Sequence, residues 1–137
     1  MNISSMKDYV NKKHKVIFQT GIMAGQELVY SQNVKAGWWT DLETGELIDR
    51  NILELLALVH SEVSEAVEGY RKNLMDDHLP HRKMIEVELA DTVIRILDIC
   101  GHLKLDLAGA IIEKIEYNQS RKDHKISERK KPNGKRY

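Results

Sequence analysis

Apolar side chains recur every three or four residues through the middle of the chain, which is the spacing of one face of an α-helix. The longest such stretch runs from Asn51 to Lys72, and Asp49 stands where a helix N-cap is expected. The pattern predicts an amphipathic helix whose apolar stripe faces a core. The stripe consists of Ile52, Leu55, Leu56, Val59, Val63, Ala66, Val67 and Tyr70.

A second periodic stretch follows after a break at "NLMDDHLPH". It runs from His81 to Cys100, with Pro80 just before it, near the first turn, where proline is tolerated. Gly101 follows as the expected C-terminal stop. The pattern predicts a second helix, joined to the first by a short connection. Its stripe consists of Ile85, Leu89, Val93, Ile96 and Cys100.

Two further helices are expected, one toward each end of the chain. Leu107, Ile111, Ile112 and Ile115 predict a helix from Asp106 to Ser120, capped by Asp106. Near the N-terminus, a similar spacing predicts another helix, and its apolar residues are Met6, Tyr9, Val10 and Ile17. The segment "KAGWWTDLETGELIDR" is polar and contains glycine, so we expect a loop. Few segments alternate with period two, and the sum predicts an all-α fold of four to five helices with antiparallel central helices.

Composition fits one soluble domain. The 137 residues are 42% apolar and 31% charged, and no apolar run has the length of a membrane span. Cys100 is the only cysteine, so we expect a reducing compartment, the cytoplasm. The net charge is zero, but residues 121–137 carry eight Lys/Arg against two acids. This basic tail is either a solvated terminus or a contact for phosphate or nucleic acid.

Two pairs of carboxylates stand three residues apart on consecutive predicted helices. Glu62 and Glu65 form the first pair, and Glu88 and Asp91 form the second. Residues at this spacing lie side by side on a helix, and like charges there repel. If the helices pack antiparallel, the pairs can face each other and line one cleft. A cleft lined by carboxylates suits a hard cation, Mg²⁺ or Mn²⁺. The alternative is that the two pairs lie on two separate, solvated helix faces.

Other metals are less well supported by the sequence. Di-iron bundles use Glu-x-x-His pairs, and none of the six histidines has a glutamate three residues before it. Zinc would need paired cysteines or a helical His-x-x-x-His, and the chain has neither.

The last predicted helix carries a polar stripe. Lys114, Asn118 and Arg121 stand at i, i+4 and i+7, so we expect them on one face. A cation, an amide and a guanidinium together suit a polyphosphate. An ordinary solvated stripe is the alternative.

These segments together resemble the MazG-like all-α nucleoside triphosphate pyrophosphohydrolase superfamily, in particular its short, phage-type members. The family pattern is E-E-x-x-E, then E-x-x-D, then K-x-x-x-N-x-x-R, and "SEVSEA", "EVELAD" and "KIEYNQSR" match it. The first acid of the pattern is replaced by Ser61. The resemblance implies a catalytic domain over residues 1–120, followed by the basic tail at 121–137.

The resemblance also implies a reaction. The family hydrolyses a nucleoside triphosphate between its α and β phosphates, giving a monophosphate and pyrophosphate, with Mg²⁺ as cofactor and Mn²⁺ as a possible substitute. Glu62, Glu65, Glu88 and Asp91 would hold the metal, and Glu62 or Glu65 would act as the catalytic base. The phosphates would bind Lys114, Asn118 and Arg121. Phage-type relatives suggest a purine deoxynucleotide such as dGTP.

Base recognition and assembly are open at this stage. Trp38 and Trp39 are adjacent in the predicted loop, where one of them could stack on a base; alternatively, one fills the core and the other covers an interface. Other candidates for the base edge are His14, Asn33 and Asn51. The family implies a homo-oligomer, a dimer or a tetramer, and "DDHLPHR" either connects two helices or reaches a neighbouring subunit's site.

Two other functions are compatible with parts of the pattern. A phosphoribosyl-ATP pyrophosphohydrolase would share the metal site, although "GWWTDLETGE" has no counterpart there. A helical nucleic-acid-binding module would use the basic tail. The paired acids disfavour the module, because they would repel phosphate in the absence of a metal, and we expect neither a nucleic acid nor a membrane as partner.

Overall fold

Helices account for 69% of the chain in the computed structural model, which describes residues 3–135 and, from residue 11 onward, their side chains. There is no strand in that part of the chain, so the predicted all-α class is confirmed. None of its helices is long and apolar enough to cross a membrane. The helices are α1 (Ile3–Lys35), α2 (Ile52–Lys72), α3 (Met84–His102), α4 (Leu107–Ser120) and α5 (Ile126–Arg129), with a 3₁₀ turn at Lys122–His124.

The first helix is far longer than the sequence pattern indicates. It spans 33 residues and contains Gly21 and Gly25, each of which disfavours a helix interior by about 1 kcal/mol relative to alanine. The side chains of Met6, Tyr9 and Val10, on which the prediction depended, lie outside the described part.

The central helix α2 begins one residue later than predicted, and its cap is different. Asn51 accepts a hydrogen bond from the backbone N–H of Leu53 at 3.0 Å, so Asn51 is the N-cap and the prediction of Asp49 is wrong. Asp49 lies too far before Ile52 for its side chain to occupy the cap position. The helix ends at Asn73, which adopts a left-handed conformation with φ of 50°.

The start of α3 is displaced toward the C-terminus by a turn in the connection. Asp76 Oδ2 accepts the backbone N–H groups of His78 and Leu79 at 2.9 and 2.6 Å, and this holds the segment in a turn that includes Pro80. The helix therefore begins at Met84 and not at His81.

Gly101 does not end α3, so that prediction is also wrong. It lies inside the helix, where a Cβ would approach Tyr30 Cβ to 2.5 Å and the Gln26 carbonyl oxygen to 3.3 Å. Glycine at this position is therefore explained by the close approach of α3 to α1 and not by a stop signal.

The chain divides into two compact units. One comprises the residues up to Met23 together with those from Asp106 onward, and in it Lys15 of α1 forms a 2.6 Å ion pair with Glu116 of α4. Asp106 caps α4 by accepting the N–H of Gly109, as predicted. The other unit is Ala24–Leu105. The boundary predicted after residue 120 stays a prediction.

In the second unit, α2 and α3 pack antiparallel, as expected. Gly69 near the end of α2 lies against Met84 at the start of α3, and a Cβ there would meet the Met84 side chain at 2.8 Å. At the other end, Leu55 packs with Ile99 and Trp39 in the core cluster.

The apolar stripes of the sequence are only partly buried: Leu55 and Ala66 of α2 and Cys100 of α3 are buried as expected, whereas other members are exposed. On α2 the side chains of Leu56, Val63, Val67 and Tyr70 are 43–73% exposed, and on α3 Leu89 and Val93 are half exposed. The buried face of α2 shares Leu55 and Ala66 with the stripe and adds Glu62 and Gly69, which the stripe did not include.

Candidate functional site

Three of the predicted metal ligands converge between α2 and α3. Glu62, Glu65 and Glu88 each offer a carboxylate oxygen, and these oxygens lie within 4.8 Å of one another. Glu62 and Glu88 are buried, with 7% and 8% exposure, whereas Glu65 is exposed. The antiparallel packing puts Glu62 and Glu88 on the buried faces between the helices, and Glu65 lies at the exposed edge of the cluster.

Burial and like charge disturb the titration of Glu88. Burial is the largest cause, followed by the charge of Glu65 and a hydrogen bond shared with Glu62, and together they raise the pKa of Glu88 to about 7. A carboxyl group in this state gains from any cation that removes the repulsion. The cluster is thus costly without a positive charge and suited to receive one.

Arg95 supplies one such charge from the protein itself. Its Nε donates to Glu62 Oε1 at 2.6 Å across the helix pair. Arg95 stands two turns after Glu88 and therefore on the same side of α3, but the sequence pattern alone predicts no role for it. The contact became visible only when the antiparallel register of the helices was known.

Asp91, the fourth predicted ligand, is not among the three converging carboxylates. Burial is the main cause that raises its pKa, the charge of Glu62 adds to this, and Arg95 opposes it. The charge of Asp76 also raises the pKa of Asp91. Asp76 is buried in the connection between α2 and α3. The sequence analysis missed it, although an aspartate at the start of a turn is a feature that could have indicated its role.

The chemistry and spacing of the donors fit a divalent cation. With metal–oxygen distances of about 2.05 Å, octahedral Mg²⁺ separates adjacent ligand oxygens by about 2.9 Å and opposite ones by about 4.1 Å. Oxygens no more than 4.8 Å apart approach this arrangement. Arg95 contacts Oε1 of Glu62, so a cation would share this carboxylate with Arg95 or displace Arg95 from it.

A cavity of about 370 Å³ lies in the same unit, and Asp91 and Arg95 belong to its wall. This volume is within the range of small-molecule sites, about 300–1,000 Å³. The wall is partly apolar and partly charged. It is completed by Asn33, Trp38, Arg50, Leu55, Leu58, Ile94, Asp98 and Ile99.

The two adjacent tryptophans have different surroundings. Trp39 has no exposed surface; its indole stacks on His102 with ring centroids 3.9 Å apart, and its Nε1 donates to Asp98 Oδ1 at 2.9 Å. A base has no room to stack on it, so the proposal of Trp39 as a substrate contact is replaced by a core role. Trp38 is 62% exposed and borders the cavity, so it is the tryptophan that stays a candidate for stacking.

The three other candidates for a contact with the base edge lie in different surroundings. Asn33 borders the cavity. Asn51 is occupied as the N-cap of α2, where its side chain also donates to Glu54 at 3.1 Å. His14 belongs to the other compact unit.

The predicted phosphate contacts lie in that other unit as well. Lys114 and Asn118 are on α4. The Lys114 ammonium is 4.8 Å from the Tyr117 ring centre, and Asn118 Oδ1 is buried with no hydrogen-bond partner among the described residues. Arg121 is the residue after the end of α4, and its guanidinium makes two hydrogen bonds to Asp123, at 2.9 and 2.6 Å. A common site for this stripe and the carboxylates stays a prediction.

Comparison of the chain with models of known protein families, with curated proteins and with solved structures finds no match.

Proposed function

We propose that the protein is a Mg²⁺-dependent nucleoside triphosphate pyrophosphohydrolase of the MazG-like kind. The observation that carries the proposal is the convergence of Glu62, Glu65 and Glu88, two of them buried, between two antiparallel helices. Burying two neighbouring carboxylates destabilises a fold unless a cation compensates them. Such a cost is common where function requires it.

Each residue has a role in this proposal. The metal would be held by Glu62, Glu65 and Glu88 and, one turn further along α3, by Asp91. Bound Mg²⁺ would polarise the α-phosphate and make water more acidic; Mn²⁺ could replace it. A carboxylate oxygen of Glu62 or Glu65 accepts the proton of the water that attacks the α-phosphorus. The bond between that phosphorus and the bridging oxygen breaks, and pyrophosphate leaves.

In this proposal the phosphates and the base are assigned to different groups of residues. Lys114, Asn118 and Arg121 bind the phosphates, for which Arg121 has to release Asp123. The base stacks on Trp38 at the cavity, which adjoins the carboxylates through Asp91 and Arg95. A purine deoxynucleotide such as dGTP is the proposed substrate, acted on in the cytoplasm by a homo-oligomer.

The test is a product analysis across all common NTPs and dNTPs and phosphoribosyl-ATP, with Mg²⁺, by ³¹P NMR. We expect a nucleoside monophosphate and pyrophosphate. Glu62→Gln should lower kcat/KM by at least about 100-fold, since loss of an outer-shell partner of a metal ligand already costs about 10–100-fold. Glu54→Gln, an exposed change on the same helix, should have no effect.

Three results would count against the proposal. A nucleoside diphosphate with orthophosphate as products would place the cleavage at the wrong bond. Turnover of phosphoribosyl-ATP alone would move the protein to the histidine-pathway type of enzyme. Salt-sensitive nucleic-acid binding without any hydrolysis would favour the binding module.

A further inference from the structure

The cavity beside the carboxylates contains a buried acid that the proposed reaction does not use. Asp98 is 7% exposed and borders the cavity. Its Oδ1 accepts the indole N–H of Trp39 at 2.9 Å, which fixes the carboxyl group against the core. Its Oδ2 has no hydrogen-bond partner among the described residues, although it is not sealed from solvent.

A carboxylate oxygen that no described donor contacts, and that solvent can reach, is open to hydrogen bonds from water or from a ligand. Trp39, as a core residue, holds Asp98 where this oxygen remains available. As an acceptor-only group, an ionised carboxylate suits a ligand that presents N–H donors. The arrangement thus points to a polar ligand whose edge carries donors.

The rest of the cavity suits a flat, aromatic ligand. Trp38 is exposed at the rim, and its backbone is fixed, because its N–H donates to the Asn33 carbonyl at 3.0 Å while Trp39 beside it is buried. Leu58 and Ile94 add apolar wall, and Arg50, a donor-only side chain, borders the same space. An aromatic platform with an acceptor on one side and a donor on another suits a nucleobase.

We propose that this cavity is the nucleobase pocket and that Asp98 selects a base with adjacent N–H donors on its pairing edge, which among the common bases is guanine. Guanine offers N1–H and the 2-amino group side by side to Asp98, and its O6 and N7 accept from a guanidinium. Adenine and cytosine place a ring acceptor beside their amino group, which an acceptor-only carboxylate disfavours. This inference rests on the proposed function for the position of the triphosphate.

The position along α3 agrees with a nucleotide that spans both features. Asp98 is seven residues after Asp91, which corresponds to about 10 Å along a helix. A nucleoside covers a distance of this order. If the base lies at Asp98, the phosphates of the nucleotide would therefore lie near Asp91 and the converging glutamates.

The test measures binding of dGMP, dIMP and dAMP to the metal-free protein by calorimetry, so it does not depend on hydrolysis. dIMP lacks only the 2-amino group of dGMP. We expect dGMP to bind about tenfold more tightly than dIMP, the factor that one hydrogen bond to a charged group contributes. Asp98→Asn keeps an acceptor for Trp39 but turns a donor toward the cavity, and should remove the preference. Asp77→Asn, an exposed change in the connection, should keep it.

Equal affinity of the wild type for dGMP and dIMP would overturn the proposal, and so would an unchanged preference in Asp98→Asn. If Asp98→Asn does not fold, the comparison of dGMP with dIMP in the wild type still decides. Preferential dGMP binding without pyrophosphate release from any nucleotide would contradict the proposed function but support the nucleobase pocket. Pyrophosphate release from all dNTPs with the same kcat/KM, together with equal binding of dGMP and dIMP, would overturn the pocket and leave the proposed function standing.

Discussion

At the scale of single residues, the site is built from groups that are unfavourable where they stand. Glu62 is paired with Arg95, but Glu88, in the same interface, has no ion pair with any side chain that the structure describes. The pattern of Glu62, Glu65 and Glu88 was visible in the sequence, because i, i+3 spacing needs only a helix. Their burial and the pairing with Arg95 were not visible, because these depend on which faces of α2 and α3 meet.

The raised pKa of Glu88 predicts how the metal-free protein responds to pH. Its ordinary value is 4.5 and its folded value is about 7, so between these values the folded state binds more protons than the unfolded state. The free energy of unfolding should therefore fall as pH rises from 5 to 7, by about 1–3 kcal/mol. Urea denaturation in EDTA at several pH values measures it.

Glu88→Gln carries no titrating carboxyl group, so its stability should vary less over this range. Asp91, whose pKa is raised too, would leave part of the slope. Glu54→Gln should retain the wild-type slope. A wild-type protein that gains stability from pH 5 to 7, or a Glu88→Gln variant with the full slope, would show that Glu88 is not buried among carboxylates.

At the scale of helices, periodicity located the elements well and their buried faces only in part. The limits of α2 and α4 agree with the sequence to within one residue. Gly101 was misassigned because a glycine that admits Tyr30 and a glycine that ends a helix look alike in one sequence. Part of the apolar stripe of α2 is exposed, which periodicity does not show, because hydrophobicity alone does not tell a residue in the core from one at the edge of the packed face.

The exposed stripe of α2, Leu56, Val63, Val67 and Tyr70, predicts self-association. Contiguous apolar surface of this kind is rare on monomers and is typical of interfaces. Light scattering should give a mass that is a multiple of the 15.8 kDa chain. Val67→Lys should shift it toward the monomer, whereas Ala57→Lys, which puts the same charge on another exposed face of α2, should not. A monomeric wild type at high concentration would contradict the predicted homo-oligomer.

At the scale of the whole molecule, the proposed chemistry draws on both compact units. The carboxylates and the cavity belong to Ala24–Leu105, whereas Lys114, Asn118 and Arg121 belong to the unit that includes α4. The family resemblance groups these motifs from their order along the chain. The packing within Ala24–Leu105 supports the metal and base parts of the proposal, and the phosphate part depends on the resemblance alone.

The most direct test of the account is whether the carboxylates between α2 and α3 bind a divalent cation. Electron paramagnetic resonance of free Mn²⁺ measures this in the absence of nucleotide. We predict saturable binding by the wild type, binding that is weakened at least about tenfold in Glu62→Gln, and unchanged binding in Glu54→Gln. No saturable binding at millimolar Mn²⁺, or equal binding by the wild type and a folded Glu62→Gln variant, would contradict the account.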